Sequence, residues 1–417
     1  MCGQHSSHHH HEPSSVSMEP HQVLGRQHEE QQEPPFDASI IIIDIGSGRT
    51  TAGFVGSDAP RSYFPTLIGR STQHTSLHLK DRYVGDEALS KASLLDTMHR
   101  PIQRGLVQNW DEYQCLLHHL FFNELRVAPE EHPICFTESI VTSTTNDREK
   151  WAQILFETFA VPALHAVLTP QAVLMASGRS TGVAVDSGYG LTYAVPVVDG
   201  VCHREHAQIV EMGGHEVDEY WMGVLLEQGQ VVGSDEWQVR RVAESIKTDR
   251  SVCEVSLDYD RSEQEDAEVL LYELPDGNTL SIGRERYQCT ELLFQPHHVM
   301  IPGLEGCAGG IHELTYSAVN ACDMAHRAEL YGNVVLSGGN TMFRGFAERL
   351  QAEVVKLAPH SIKIGVVELP ERKFSSYIGA CCVAGLSTER PKWMRLREYE
   401  EEGVTRLIHR KFKCETC

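Results

Sequence analysis

The chain has no apolar run approaching the ~18 residues that a membrane-spanning helix needs, which excludes a helical membrane protein. It is also short of positive charge. Its 36 Lys and Arg stand against 58 Asp and Glu, leaving a net charge of −22. Binding to nucleic acid rests on a basic footprint, so direct contact with DNA or RNA is excluded as the simple function. A soluble protein with basic or mixed partners fits this balance. The polar amino-terminal region lacks an apolar segment, so no secretory leader is predicted. The 12 cysteines are then expected to be reduced, intracellular thiols. No basic run of the nuclear-localisation type stands out.

Residues 1–38 differ from all that follows. They are rich in His, Glu, Gln, Pro and Ser and have no sustained hydrophobic period, which predicts a disordered extension. The run His8 to His11 is of a metal-binding type, but a solvated polar tail is the expected reading. Cys414 and Cys417 form a C-x-x-C in a short tail, 413–417, expected to be exposed and free. The vicinal pair Cys381 and Cys382, in "SSYIGACCVAGLS", is expected in a core.

A globular region is predicted over 39–412. "SIIIIDIGSG" is a continuous apolar run ending in glycine, suited to a buried strand, and "TTAGFVG" reads as the returning strand. Two segments read as helices. "NWDEYQCLLHHLFFNEL" spaces Tyr113, Leu116, Leu117, Leu120 and Phe121 on one face. "NDREKWAQILFETFA" has Asn146 three residues before Glu149, close to a capping box. Then the first pattern returns: "IIIDIGSG" and "VAVDSGYG" are both apolar runs followed by D-x-G-x-G. Such a repeat predicts two like-folded halves. A third stretch, "NVVLSGGNTMFRGFAERLQAEVV", reads as strand, Gly-Gly turn and a helix starting beside Gly338 and Gly339.

Glycine turns let backbone approach a ligand closely, and their N–H groups make anion nests. Two nests facing each other can hold a polyphosphate. Asp44 and Asp186, at the strand ends, make sense beside it only through a divalent cation and its water.

The chain resembles the actins and actin-related proteins over Ile40 to Phe412. The resemblance is carried by "GSGRTTAGFVGSDAPRSYFPTLIGR", "YVGDEALSK", "FFNELRVAPEEHP", "REKWAQILFETF", "YELPDGNTLSIGRERYQC", "GIHE", "VVLSGGNTMF" and "EYEEEG...IHRKF". It implies an α/β fold of the actin-type ATPase class: two related domains with central mixed sheets around a deep nucleotide cleft. Residues 39–178 plus the carboxy-terminal end would form one half and 179–370 the other. It further implies ATP or ADP with Mg2+ as cofactor. Gly46, Ser47, Gly48, Ser187, Gly188 and Gly190 would meet the phosphates. Asp44 and Asp186 would hold the metal-water shell, Lys247 would face the nucleotide, and Gly338, Gly339, Met342 and Lys373 would form the adenine wall.

The departures fall at the chemistry. The family's lysine before Ala-Gly-Phe is Thr51 here, and a hydroxyl cannot replace a charge-assisted bond. Tyr189 takes the place of a carboxylate in the second turn. Tyr193 replaces the histidine that helps order the attacking water, and the corresponding glutamine position is Thr169. Thr248 replaces the glutamate that meets ribose. The family's modified histidine aligns with Arg104. The loop "STQHTSLHLKDR" is shorter than the family's, and "HHVMIPGLEGCAG" is longer, so polymer contacts should change while the fold survives. The implied function is a structural or regulatory component of an actin-type assembly in the cytoplasm and cytoskeleton. Its partners would be actin or other cytoskeletal proteins, its Mg-ATP binding weakened, its hydrolysis slow or absent, and its filament formation doubtful. The alternatives are a competent polymerising ATPase and a nuclear chromatin-complex subunit. A sugar kinase or heat-shock ATPase would leave the long actin-like stretches unexplained.

Overall fold

The computed structural model describes residues 40–57, 59–71, 80–141, 145–230, 236–259, 268–298 and 309–412. The extension 1–38, the run His8 to His11 and the tail 413–417 lie outside the described residues. So does most of each of the two altered loops, 72–79 and 299–308. Among the described residues, no helix is long and apolar enough to cross a membrane.

The four isoleucines that open the globular region bury both faces of one strand. β1 (Ile41–Ile45) sends Ile41 and Ile43 into one apolar cluster, while Ile42, with Ile40 just before the strand, enters another. This is the period of two, with both sheet faces covered. β1 pairs antiparallel with β2 (Arg49–Phe54), which continues to β3 (Ser62–Pro65). On its other side it runs parallel to β4 (Ile134–Glu138), which is parallel to β5 (Ala163–Leu168). The short strand Met394–Arg395 closes that edge. Two helices cover the sheet. α1 (Trp110–His119) is capped by the Asn109 side chain and buries Tyr113, Leu116 and Leu117. α2 (Thr145–Gln153) buries Trp151. It has begun by Thr145, so Asn146 lies inside the helix and the expected cap at Asn146 is not there.

β5 runs straight into α3 (Thr169–Ala176), which leads to a second sheet of the same plan. β6 (Gly182–Ser187) and β7 (Thr192–Val198) form an antiparallel hairpin, β6 runs parallel to β8 (Val334–Ser337), and β8 to β9 (Val366–Val367). Asp44 faces Thr51 across the first hairpin, as Asp186 faces Tyr193 across the second. Around this sheet pack α4 (Gly214–Glu227), α5 (Glu236–Thr248), α6 (Ile311–Ala321) and α7 (Phe346–Leu357). The chain returns to the first sheet through α8 (Ser375–Gly385).

Two expectations change here. The third glycine motif does not start a helix beside Gly338 and Gly339. A 3-10 turn, Gly339–Met342, intervenes, and α7 starts only at Phe346, after Gly345 at φ 82. Cys381 is half-buried, but Cys382 is exposed. Successive residues on a helix point about 100° apart, so α8 turns one thiol to the core and the other to solvent.

α3 and α8 are the two crossings between the sheets, and they touch at backbone distance. A Cβ built on Gly379 would lie 1.7 Å from the Ala172 carbonyl oxygen. Gly379→Ala should therefore destabilise the chain by about 1–3 kcal/mol or more. A lowered urea midpoint at unchanged slope is the expected reading.

Candidate functional site

The two hairpin turns meet over one cavity of about 380 Å³. Asp44 and Asp186 both line it. Asp44 accepts from Thr137 Oγ1 at 2.5 Å, and burial raises its pKa. Asp186 is pushed up to about 6, chiefly by burial, with the charge of Asp44 adding to the effect and a Ser337 hydrogen bond opposing it. Among the described residues, no lysine or arginine acts on either shift. Two half-buried carboxyls, one raising the pKa of the other, form an oxygen donor set short of positive charge. That fits a divalent cation.

The glycine turns are less open than the sequence implied. Gly46 N–H donates to the Arg49 carbonyl at 3.0 Å and Gly188 N–H to Leu191 at 2.9 Å, closing the two hairpins. Ser47 Oγ accepts from Gly105 N–H at 3.1 Å. Gly48 and Gly190 line the cavity. Ser187 does not. It is fully buried, with Oγ 2.8 Å from Thr192 Oγ1, inside the hairpin. Residues on a strand alternate faces, so the step from Asp186 to Ser187 turns the second side chain away.

Tyr189 fills the space between the turns. A Cβ built on Gly48 would lie 2.6 Å from Tyr189 Cβ. The Arg100 guanidinium sits 4.1 Å from the ring centroid, and Lys247 Nζ lies 5.3 Å from it. The ring thus engages two cations of the kind a phosphate would recruit. Lys247 is committed elsewhere as well. Its Nζ is 2.6 Å from Asp218 Oδ1 and donates to the Gly214 carbonyl at 3.0 Å. Burial works against its charge, but Asp218 and Glu244 outweigh burial and hold its pKa above the usual lysine value.

The remaining expected residues divide. Gly338, Gly339, Met342 and Lys373 all line the cavity. Gly338 has φ 91 and lies against Ser187, where a Cβ would come within 2.3 Å of its carbonyl oxygen. Only glycine suits that position. Lys373 Nζ lies 4.6 Å from the Phe374 ring centroid. Thr51 and Thr248 line the cavity without bringing a charge, and the Thr248 hydroxyl donates to the Glu244 carbonyl at 2.8 Å. Thr169 Oγ1 donates to the Glu138 carbonyl at 3.0 Å as α3 begins. Tyr193 is buried with Ile140 and Val195, and no hydrogen-bond partner meets its hydroxyl among the described residues. Burial, then Asp186 and Asp44, hold its pKa well above the ordinary value, so it is no base at neutral pH.

Several contacts escaped the sequence reading, including those of Arg104, the counterpart of the family's modified histidine. Arg49 pairs with Glu244 at 2.8 Å, joining β2 to α5 across the cavity. Arg104 donates to the Gly190 carbonyl at 2.9 Å and to Glu216 at 3.2 Å. Asn340 Nδ2 donates to Ser187 Oγ at 3.0 Å and to the Gly188 carbonyl at 2.8 Å, fastening the third motif to the second turn. Asn340 had a signal, since it completes "SGGN". The two ion pairs had none, because their partners lie far apart in sequence.

Two measurements check this site. Tyr193→Phe removes a buried hydroxyl that meets no partner among the described residues, so stability should hold or rise by up to about 1 kcal/mol. A loss in thermal or urea unfolding would show that the hydroxyl is bonded. For Asp186, the folded pKa of about 6 exceeds the ordinary 3.8. Stability from this group is therefore full below pH 3.8 and lost as the pH climbs past about 6. Without divalent cations, Asp186→Asn should add roughly 1–3 kcal/mol at pH 7.5 and little at pH 4.

The protein-family model described as Actin matches residues 37–413.

Proposed function

Because the chain belongs to the actin family, we propose that it is an actin-like structural or regulatory component of a cytoskeletal assembly. In this reading its cleft binds Mg-ATP or Mg-ADP weakly and hydrolyses ATP slowly or not at all. The observation that carries the reading is the Tyr189 ring, lodged against Gly48 with Arg100 and Lys247 on it.

The cation half of the site is intact. Asp44 and Asp186 would hold magnesium through water. Backbone of 47–48 and 189–190 would face the phosphates, and Gly338, Gly339, Met342 and Lys373 would face the base. The bound metal would supply charge neutralisation at the phosphates. The phosphate half is depleted. Thr51 brings no charge, and Lys247 is spent on Asp218. Hydrolysis also needs groups that orient the attacking water. Both positions line the cavity, but Thr169 is tied to a carbonyl, and Tyr193 is a protonated phenol. The location we assign is the cytoplasm and its cytoskeleton.

The test is unfolding with and without millimolar Mg-ATP, together with phosphate release and sedimentation in polymerising salt. A ligand at a hundred times its Kd stabilises by about 2.7 kcal/mol. The wild-type shift should fall short of that, and Tyr189→Asp, which frees the space and restores a carboxylate, should increase it. Turnover at the rate of ordinary actin would overturn the claim of lost hydrolysis. Long filaments from the purified chain alone would overturn the regulatory role.

A further inference from the structure

We propose that Trp237 is a latch, holding the two halves of the chain closed over the cleft through a contact of the chain with itself. The latch stands whether or not the cleft takes a nucleotide. It starts from the pattern of α5. Val239, Val242, Ala243 and Ile246 follow helical spacing and pack into or against the core around the second sheet. At about 100° per residue, Trp237 points roughly opposite to that face. A large apolar side chain there has no place in the core of its own half. Trp237, Arg240, Glu244 and Lys247 instead form a second helical stripe, spaced i, i+3, i+7 and i+10.

That stripe faces the first half of the chain. Glu244 meets Arg49 of β2, Lys247 lies near the Tyr189 ring, and both line the cavity. Trp237 stands about 15 Å back along the helix, at 1.5 Å per residue, and is not among the residues that line the cavity. It packs on an apolar cluster of the first half. Leu67, Tyr83 and Ala88 are buried there, with Leu89, Leu95 and Met98 around them. The cluster belongs to a small sheet in which Ile68–Arg70 pairs with Arg82–Val84 on one side and Thr97–His99 on the other. Among the described residues, Trp237 is the one member of this cluster that comes from beyond residue 178. On its own side the indole is held by Arg240. The guanidinium carbon lies 5.7 Å from the ring centroid, and Arg240 is itself paired with Glu219 at 2.6 Å and Glu236 at 3.0 Å. One half orients the ring and the other buries it. The Arg49–Glu244 pair joins the same helix to the first half, but it is partly exposed and screened by salt. An apolar contact is not screened.

The experiment follows hydrogen exchange and small-angle X-ray scattering of the full chain, prepared free of nucleotide, in low and in high salt. Trp237→Ala should speed exchange over both partners, residues 82–99 and 236–248, by about tenfold or more, as expected for removal of a packed aromatic. The radius of gyration should increase. Exchange in β5 and β8, inside the two sheets, should stay at the wild-type rate. Leu95→Ala with Met98→Ala removes the same contact from the other side and should reproduce the opening, which keeps the test decisive if the tryptophan variant fails to fold. Trp237→Phe should restore part of the closure. Unchanged exchange and an unchanged radius in these variants would overturn the latch. Faster exchange over 82–99 alone, with 236–248 and the radius unmoved, would make Trp237 a local support of the small sheet and overturn it too. Opening of the wild type by salt would overturn it by assigning the closure to Arg49–Glu244.

Discussion

The closest approach of two helices, α3 and α8, governs the geometry of this molecule. Gly379 rests on the Ala172 carbonyl, where no other side chain would fit. These helices are the two passages of the chain between the sheets, so their contact sets how the first hairpin faces the second. Interiors are close-packed and transmit strain instead of absorbing it. The hairpins can therefore depend on a contact that touches no ligand. Tyr377, on the same helix, extends this control, since a Cβ on Gly53 of β2 would meet its hydroxyl at 2.4 Å. The return helix thus presses on the first hairpin and on the start of the connection between the sheets.

Ion pairs close what the helices align. Arg49–Glu244 and Arg104–Glu216 both run from the first half of the chain to elements around the second sheet. Their side chains are not equally dry. Arg49 and Glu244 are 34 % and 23 % exposed, whereas Glu216 is 5 % exposed and also accepts from Gly213 N–H at 2.7 Å. A solvated pair is worth at most about 1 kcal/mol and weakens with salt. The Arg104–Glu216 pair is the firmer one, because Glu216 is already fixed as the cap of α4 and Arg104 also holds the Gly190 carbonyl. The second turn is thereby fastened to its own sheet through Asn340 and to the opposite side through Arg104. Tyr189 is held at the centre of that frame.

Local pattern made much of the fold legible. The isoleucine run of β1 follows short-range alternation that folding preserves, and Ile40 to Ile43 are buried. Of Met342, Phe346, Leu350 and Val354, which recur every four residues, the last three are buried on α7, while Met342 stays in the 3-10 turn and lines the cavity. The aspartates were legible for the same reason, since a strand end fixes where its last side chain emerges. What stayed hidden depended on orientation or on distant partners. Ser187 belongs to the glycine motif by sequence, yet the pleat turns it inward. Asn146 has the chemistry of a cap, but the helix has already begun by Thr145. Lys247 aligned with a nucleotide-facing lysine, and only the structure shows that Asp218 occupies its charge. A motif specifies residue types and spacing, but the partner of a long flexible cation is decided by the fold around it.

The charge balance of the cleft follows from these placements. Among the described residues, no basic partner acts on the titration of its two half-buried aspartates, while the cations around the second turn are already paired or lie against an aromatic face. A phosphate arriving there would have to displace contacts already made, because Lys247 would leave a buried carboxylate behind if it turned away. Leaving one partner of a buried ion pair alone is costly, of the order of 3–5 kcal/mol. A divalent cation faces the opposite balance, because it relieves repulsion between Asp44 and Asp186 and breaks no existing ion pair. In the function proposed above, such a cleft would favour a divalent cation over a polyphosphate. Drift confined to Thr51 would have weakened one contact. Tyr189 and Asp218 instead commit the neighbouring positive charge to the protein itself, and that redistribution distinguishes a cleft filled from within from one that has only lost a side chain.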